Sequence, residues 1–237
     1  MSEITHSKIP AIIVTGFLGA GKTTLIRHMI QNAGGRRIAL IVNEFGDVGV
    51  DGEVLRSCGA EACGEDDIVE LANGCICCTV AEDFIPTMEK ILARPQRPDA
   101  IVIETSGLAL PQPLVRAFAW PEIKTEVTVD GVITLVDAVA VAAGRFAADE
   151  AAVDQQRRSD ATLDHETPLS ELFEDQVACA DLIVLSKSDL VAEPALAAAE
   201  LKVPLFGPMA GPPALRRPTQ PMVFPVRAEH REEFRAL

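Results

Sequence analysis

One stretch limits what this chain can fold into more than any other: Gly16-Phe17-Leu18-Gly19-Ala20-Gly21-Lys22-Thr23, directly behind the apolar run Ala11-Ile12-Ile13-Val14. The spacing is G-x-x-x-x-G-K-[ST], a phosphate-binding loop that requires a strand before it and a helix after it. Its glycines let the backbone curl so that successive N–H groups face the β- and γ-phosphates of a nucleotide. Lys22 adds a positive charge at the β/γ position, Thr23 a hydroxyl for Mg²⁺, and the following helix its positive end. Gly16, Gly19, Ala20, Gly21, Lys22, Thr23 and Thr24 are therefore the expected nucleotide cradle. Leu25, Ile26, Met29 and Ile30 give the helix one apolar face, and Gly34-Gly35 is its expected stop. Such a start commits the chain to an α/β fold and to a nucleoside triphosphate.

Further along, short apolar runs alternate with helical patterns. Ile38-Ala39-Leu40-Ile41-Val42 reads as a strand buried on both faces, and a glycine-rich acidic loop, residues 43–52, follows it. Ile68-Val69-Glu70-Leu71 precedes a cysteine cluster, and residues 82–93 read as a helix ended near Pro95 and Pro98. Ala100 to Thr105, Val132 to Asp137 and Asp181 to Ser186 are three more expected strands. This alternation predicts a P-loop NTPase domain with a mostly parallel sheet flanked by helices, its ligand groups gathered at the carboxyl ends of the strands. Residues 145–176, rich in Ala, Asp, Glu, Gln and Arg, read as a solvated helix or a mobile insertion. His165 lies there between Asp164 and Glu166 and reads as an exposed histidine.

Composition narrows the partners. With 237 residues, 48% of them hydrophobic, the chain can bury one full core. A net charge of −14 argues against nucleic acid or an anionic membrane as partner. No run approaches the ~18 apolar residues of a membrane-spanning helix. Six cysteines, three of them within residues 75–78, fit a reducing cytoplasmic setting and metal or redox chemistry better than a disulfide framework.

Three further groups carry chemistry. Ser186-Lys187-Ser188-Asp189 at a strand end is similar to the N-K-x-D guanine motif, in which the aspartate accepts from the base and the lysine stem covers it; serine stands here in place of asparagine. Glu104-Thr105-Ser106-Gly107 sits where GTPases carry their magnesium- and γ-phosphate-sensing loop. There Glu104 can orient the attacking water or hold Mg²⁺ through water, and Gly107 lets a backbone N–H approach the γ-phosphate. Cys75-Ile76-Cys77-Cys78 supplies soft thiolates suited to Zn²⁺, Co²⁺ or Cu⁺, with a carboxylate, water or another loop needed to complete a tetrahedron. Cys58 and Cys63, separated by four residues, form a weaker pair, and Cys179 reads as packing.

Taken together, Gly16 to Thr24, Asn43-Glu44-Phe45-Gly46, Cys75 to Cys78, Glu104 to Gly107 and Ser186 to Asp189 resemble, in order, the motifs of the CobW family of metal-chaperone GTPases. The resemblance covers residues 9 to about 190. It implies Mg²⁺-GTP as cofactor and substrate, GTP hydrolysis involving Lys22 and Glu104, and a transition metal, Co²⁺ or Zn²⁺, as cargo for a client such as cobaltochelatase. It also implies that Cys75, Cys77 and Cys78 are metal ligands with Glu44 as their candidate partner.

Family members continue beyond the guanine motif into a separate carboxyl-terminal domain, of which Leu201 to Leu237 shows no counterpart. That stretch holds Pro204, Pro208, Pro212, Pro213, Pro218, Pro221 and Pro225, so residues 191–237 are expected to form a truncated, proline-rich tail with little regular structure behind a GTPase domain over residues 1–190. Two other readings of the chain stay open at this point: a P-loop small-molecule kinase, and a metal buffer whose P-loop hydrolyses nothing.

Overall fold

The apolar run ahead of the P-loop forms β1 (Ile9–Thr15), and the loop feeds α1 (Lys22–Gln31). The computed structural model describes residues 7–42, 68–70, 84–159, 167–202 and 222–225. In chain order there follow β2 (Ile38–Val42), β3 (Ile68–Glu70), α2 (Ile85–Leu92), β4 (Ala100–Glu104), α3 (Pro111–Ala117), α4 (Pro121–Lys124) and β5 (Val127–Asp137). Then come α5 (Ala138–Ala142), α6 (Glu150–Ser159), α7 (Leu169–Cys179), β6 (Leu182–Ser186), a single 3₁₀ turn (Ser188–Leu190), α8 (Glu193–Lys202) and β7 (Met222–Pro225). Proline opens α2, α3 and α4 in the first turn, where its missing N–H costs nothing.

Among the described residues seven strands pair in the order β3-β2-β4-β1-β5-β6-β7, every pair parallel. Strands 2 to 4 lie on one side of β1 and strands 5 to 7 on the other, so the order reverses at β1 and the P-loop leaves the sheet at that switch point. Side chains alternate across the sheet as the pleat demands. On one face Ala11, Ile13, Ala39, Ile41, Ile101 and Ile103 pack with Phe84, Met88 and Ile91 and with Leu114 and Ala117. On the other, Val14, Leu40, Val42, Val102 and Leu135 meet Ile26 and Ile30 of α1. Coverage on both faces explains why β2 is apolar at every position and wholly buried.

Several elements differ from their sequence expectation. The strand expected at Val132 begins at Val127, and its register with β1 slips between Ala11 and Ile12, opposite Val129 and Gly131. This is a bulge, and it accommodates Asp130-Gly131 inside a strand. Within residues 145–176, α6 has a largely exposed face, but Val153 is buried and α7 buries Leu172, Phe173, Gln176 and Val177 against Val136, Ile183 and Leu185. That part is core, not a solvated insertion. Past residue 190, α8 buries Leu196 and Ala199 in the same cluster and β7 adds a seventh strand. Pro225 is tolerated there because β7 is the edge strand among the described residues, where a missing ladder N–H breaks few bonds. No helix among the described residues is long and apolar enough to cross a membrane.

Candidate nucleotide site

The P-loop owes its shape to three glycines with positive φ: Gly16 at 132°, Gly19 at 74° and Gly21 at 98°. At Gly16 freedom of φ is joined by lack of room, because a Cβ there would stand 2.3 Å from the carbonyl oxygen of Leu135 on β5. The loop therefore lies directly on the sheet. Lys22 is buried, and its ammonium donates to the carbonyl oxygens of Gly16 at 2.9 Å and Phe17 at 3.4 Å. A buried charge is tolerable only with such partners, and these two place the ammonium on the inner side of the loop. Thr24 is exposed two residues further on, and Gly21, in the left-handed conformation, caps the start of α1.

Thr23 Oγ1 donates to Glu104 Oε1 at 3.2 Å, joining the first turn of α1 to the end of β4. A hydroxyl and a carboxylate side by side beneath a phosphate loop form the hard oxygen donor set that Mg²⁺ prefers, so these residues fit the ion the P-loop implies. Beyond Glu104 the chain turns tightly. Thr105 is anchored by its N–H to the Val14 carbonyl at 3.0 Å, and Ser106 Oγ accepts from the Leu108 N–H at 3.3 Å. Gly107 then passes so close to the P-loop that a Cβ would stand 2.8 Å from the Leu18 nitrogen. Replacing Gly107 with alanine should accordingly cost about 1–3 kcal/mol of stability, read as a melting temperature lower by roughly 3–10 °C. An unchanged melting temperature would mean that the two loops are free to separate.

Ser186-Lys187-Ser188-Asp189 leaves the sheet two strands from β1, about 10 Å away in the hydrogen-bonding direction. Lys187 adopts φ 55°, a conformation costly for any residue with a Cβ, and its ammonium pairs with Asp137 Oδ2 at 2.6 Å. Asp137 is buried at the end of β5, where its other oxygen accepts from the N–H groups of Val139 and Ala140 and so caps α5. Asp189 is exposed in the 3₁₀ turn.

The structure thus brings Gly16 to Thr24, Glu104 and Gly107 together and sets Lys187 and Asp189 along the same carboxyl edge of the sheet. Glu44, Cys75, Cys77 and Cys78, together with Cys58, Cys63 and His165, lie outside the described residues. Among the described residues no group of three or more His, Cys, Asp or Glu side chains is placed to hold a metal. Cys179 is buried in the core. Two residues absent from the sequence reading of the site stand out. Asp137 anchors Lys187, and its signal was a lone aspartate closing an apolar strand ahead of Ala-Val-Ala-Val. Gln176 contacts the Gly107 loop, and its signal was a polar residue on the helical stripe Leu169, Leu172, Phe173, Val177.

Residues 10–204 match the CobW/HypB/UreG nucleotide-binding domain. The chain is 68% identical over 190 residues to a zinc chaperone CobW of Sinorhizobium sp, which covers 80% of this chain and 54% of that protein. It is 36% identical over 199 residues to zinc-regulated GTPase metalloprotein activator 1 of Schizosaccharomyces pombe, covering 82% of this chain and 42% of the relative. The crystal structure of the Zn(II)-bound YjiA GTPase of Escherichia coli superposes with a TM-score of 0.51 at 26% identity, over 84% of this chain and 54% of that one. The chain spans about half the length of the curated relatives it matches.

Proposed function

This chain belongs to the CobW/HypB/UreG nucleotide-binding domain family, and on that footing we propose that it is a GTP-hydrolysing metallochaperone with Zn²⁺ as its cargo. The observation that carries the reading is the joint between the two phosphate-facing loops: Lys22 held inside the P-loop, with Thr23 bonded to Glu104 at its rim. Triphosphate oxygens entering the loop draw the Lys22 ammonium away from the Gly16 and Phe17 carbonyls. Glu104 is then placed to orient a water for in-line attack on the γ-phosphate. A Mg²⁺ held through Thr23 and Glu104 supplies charge neutralisation at the phosphates. Lys187 covers one face of the guanine while Asp137 fixes its ammonium, and Asp189 accepts from the base edge.

The cargo site is Cys75, Cys77 and Cys78, completed by Glu44. Glu44 follows β2 and the cysteines follow β3, so both segments lie downstream of strands that end on the nucleotide edge of the sheet. GTP orders these segments around the metal, and hydrolysis releases them so that the metal passes to a client protein. Zinc is favoured because the 68% identical relative is a zinc chaperone and the YjiA neighbour is a Zn(II)-bound GTPase. A cobaltochelatase client, implied by the motif resemblance, would instead call for Co²⁺.

GTP turnover measured with and without Zn²⁺ tests the whole reading. Phosphate release that depends on Zn²⁺ supports it, transfer of the γ-phosphate to a small molecule would make the chain a kinase, and metal binding without turnover would make it a buffer. Base choice offers a sharper check. Asp189→Asn should lower the preference for GTP over ATP by at least about tenfold, since a hydrogen bond to a charged group contributes about 1.5–3 kcal/mol. Equal affinity of the parent for ATP and GTP would remove the guanine assignment.

A further inference from the structure

A glutamine 1% exposed on the apolar stripe of a helix is an expensive residue unless every amide proton has a partner. Gln176 meets that condition in one place. Its Nε2 donates to the carbonyl oxygen of Gly107 at 3.0 Å and to that of Ala109 at 3.2 Å, so both bonds fall on the loop that begins at Glu104. Its own backbone carbonyl, in the last turn of α7, accepts from Thr134 Oγ1 of β5 at 2.9 Å. One turn away Phe173 stacks on Phe17 of the P-loop with ring centroids 6.0 Å apart, and Leu108 and Val177 complete the same cluster. Helix α7 therefore touches both phosphate-facing loops, the P-loop through a ring and the Gly107 loop through an amide.

We propose that Gln176 is a positioning residue for nucleotide hydrolysis: its carboxamide grips the Gly107 and Ala109 carbonyls and so sets the loop from Glu104 to Ala109 against the P-loop. The inference rests on the GTPase reading above. Two amide bonds to alternate carbonyls fix the loop's path as well as its distance, which a single bond would not. Gly107 passes the Leu18 nitrogen with no space for a Cβ, so a small shift of the Gly107 loop changes its approach to whatever the P-loop holds. A diphosphate engages the P-loop alone, whereas a triphosphate also reaches the loop that Gln176 holds. Gln176 thus bears on triphosphate binding and on the hydrolytic step, and leaves diphosphate binding alone.

The test compares the full chain with Gln176→Leu, which keeps the volume and removes the donors, and with Gln176→Glu, which keeps the shape and puts acceptors against the two carbonyls. Affinities for GDP and for a non-hydrolysable GTP analogue are measured beside single-turnover hydrolysis. Hydrolysis should fall about 100-fold, the scale of a roughly 1 Å misplacement of a reacting group. The analogue-to-GDP affinity ratio should fall about tenfold, with GDP affinity itself within about threefold of the parent. Parent-like hydrolysis and an unchanged ratio in both variants would overturn the proposal, as would a GDP affinity that falls in step with the analogue, which marks a purely structural glutamine. A parent that binds the analogue and hydrolyses no GTP would sink the GTPase reading instead. Should neither variant fold, the side-chain amide resonances of Gln176 in the parent decide: they should differ between the GDP and analogue forms, and identical resonances would overturn the assignment.

Discussion

A Lys22→Ala chain should bind GTP at least about 100-fold more weakly than the parent, a loss of ~3 kcal/mol expected for removing a charge-assisted phosphate contact in a buried loop. The size follows from the geometry. The ammonium is buried, bonded only a few ångströms from the loop it serves, and no other lysine or arginine lies on the P-loop or in the Glu104–Gly107 turn. Removing it also relieves the protein of a buried charge, so the variant should keep its melting temperature to within a few degrees. Calorimetric titration with GTP, alongside a thermal melt, separates the two effects. Wild-type affinity in a folded Lys22→Ala chain would show that the nucleotide does not sit in this loop at all.

Legibility of the fold tracked how local the physical signal was. The P-loop and α1 were readable because glycine spacing, a lysine and an amphipathic stripe all fall within sixteen residues, Gly16 to Gln31. Strand β2 was readable for a different reason, since five consecutive apolar residues suit only a strand covered on both faces. The first half of β5 was not, because Asp130-Gly131 reads as a turn when only neighbours are considered. It is held in the sheet by pairing with β1 across a bulge, a contact more than a hundred residues away in sequence. Helix α7 was obscured by the charged stretch before it, and its stripe is interrupted by Gln176, whose partners are loop carbonyls that no periodicity reveals.

The site shows the same division. Gly16 to Thr24, Glu104 and Gly107 are recognisable as motifs because phosphate and Mg²⁺ chemistry demands those residue types in that order. Asp137 was not, since its value lies in a cross-strand pair with Lys187 set by the register of Asp137 opposite Ser186. Lys187 in turn carries an uncommon left-handed backbone that only tertiary contacts sustain. Spacing within one motif could name the lysine; only the sheet could supply its aspartate.

The largest effect expected at the cargo site comes from replacing Cys77 and Cys78 together with serine. Thiolates are the soft ligands, and hydroxyls do not replace them for Zn²⁺ or Co²⁺, so the double variant should lose tight metal binding altogether. Co²⁺ serves as the spectroscopic probe. In the parent it should give intense tetrahedral d–d bands and a sulfur-to-metal charge-transfer band, and Zn²⁺ should displace it because it binds such ligands more tightly. Free thiols titrate near ~8.5, so metal binding should release protons and strengthen as pH rises toward that value. In the double variant the charge-transfer band should vanish while metal-free GTP affinity stays at the parent's. The nucleotide then reports on coupling: Mg²⁺-GTP should tighten the metal by roughly 5–150-fold over Mg²⁺-GDP, about 1–3 kcal/mol, and the metal should tighten GTP by the same factor. Equal metal affinity in the two nucleotide forms would leave two independent sites on one chain, with nothing to make hydrolysis release the cargo.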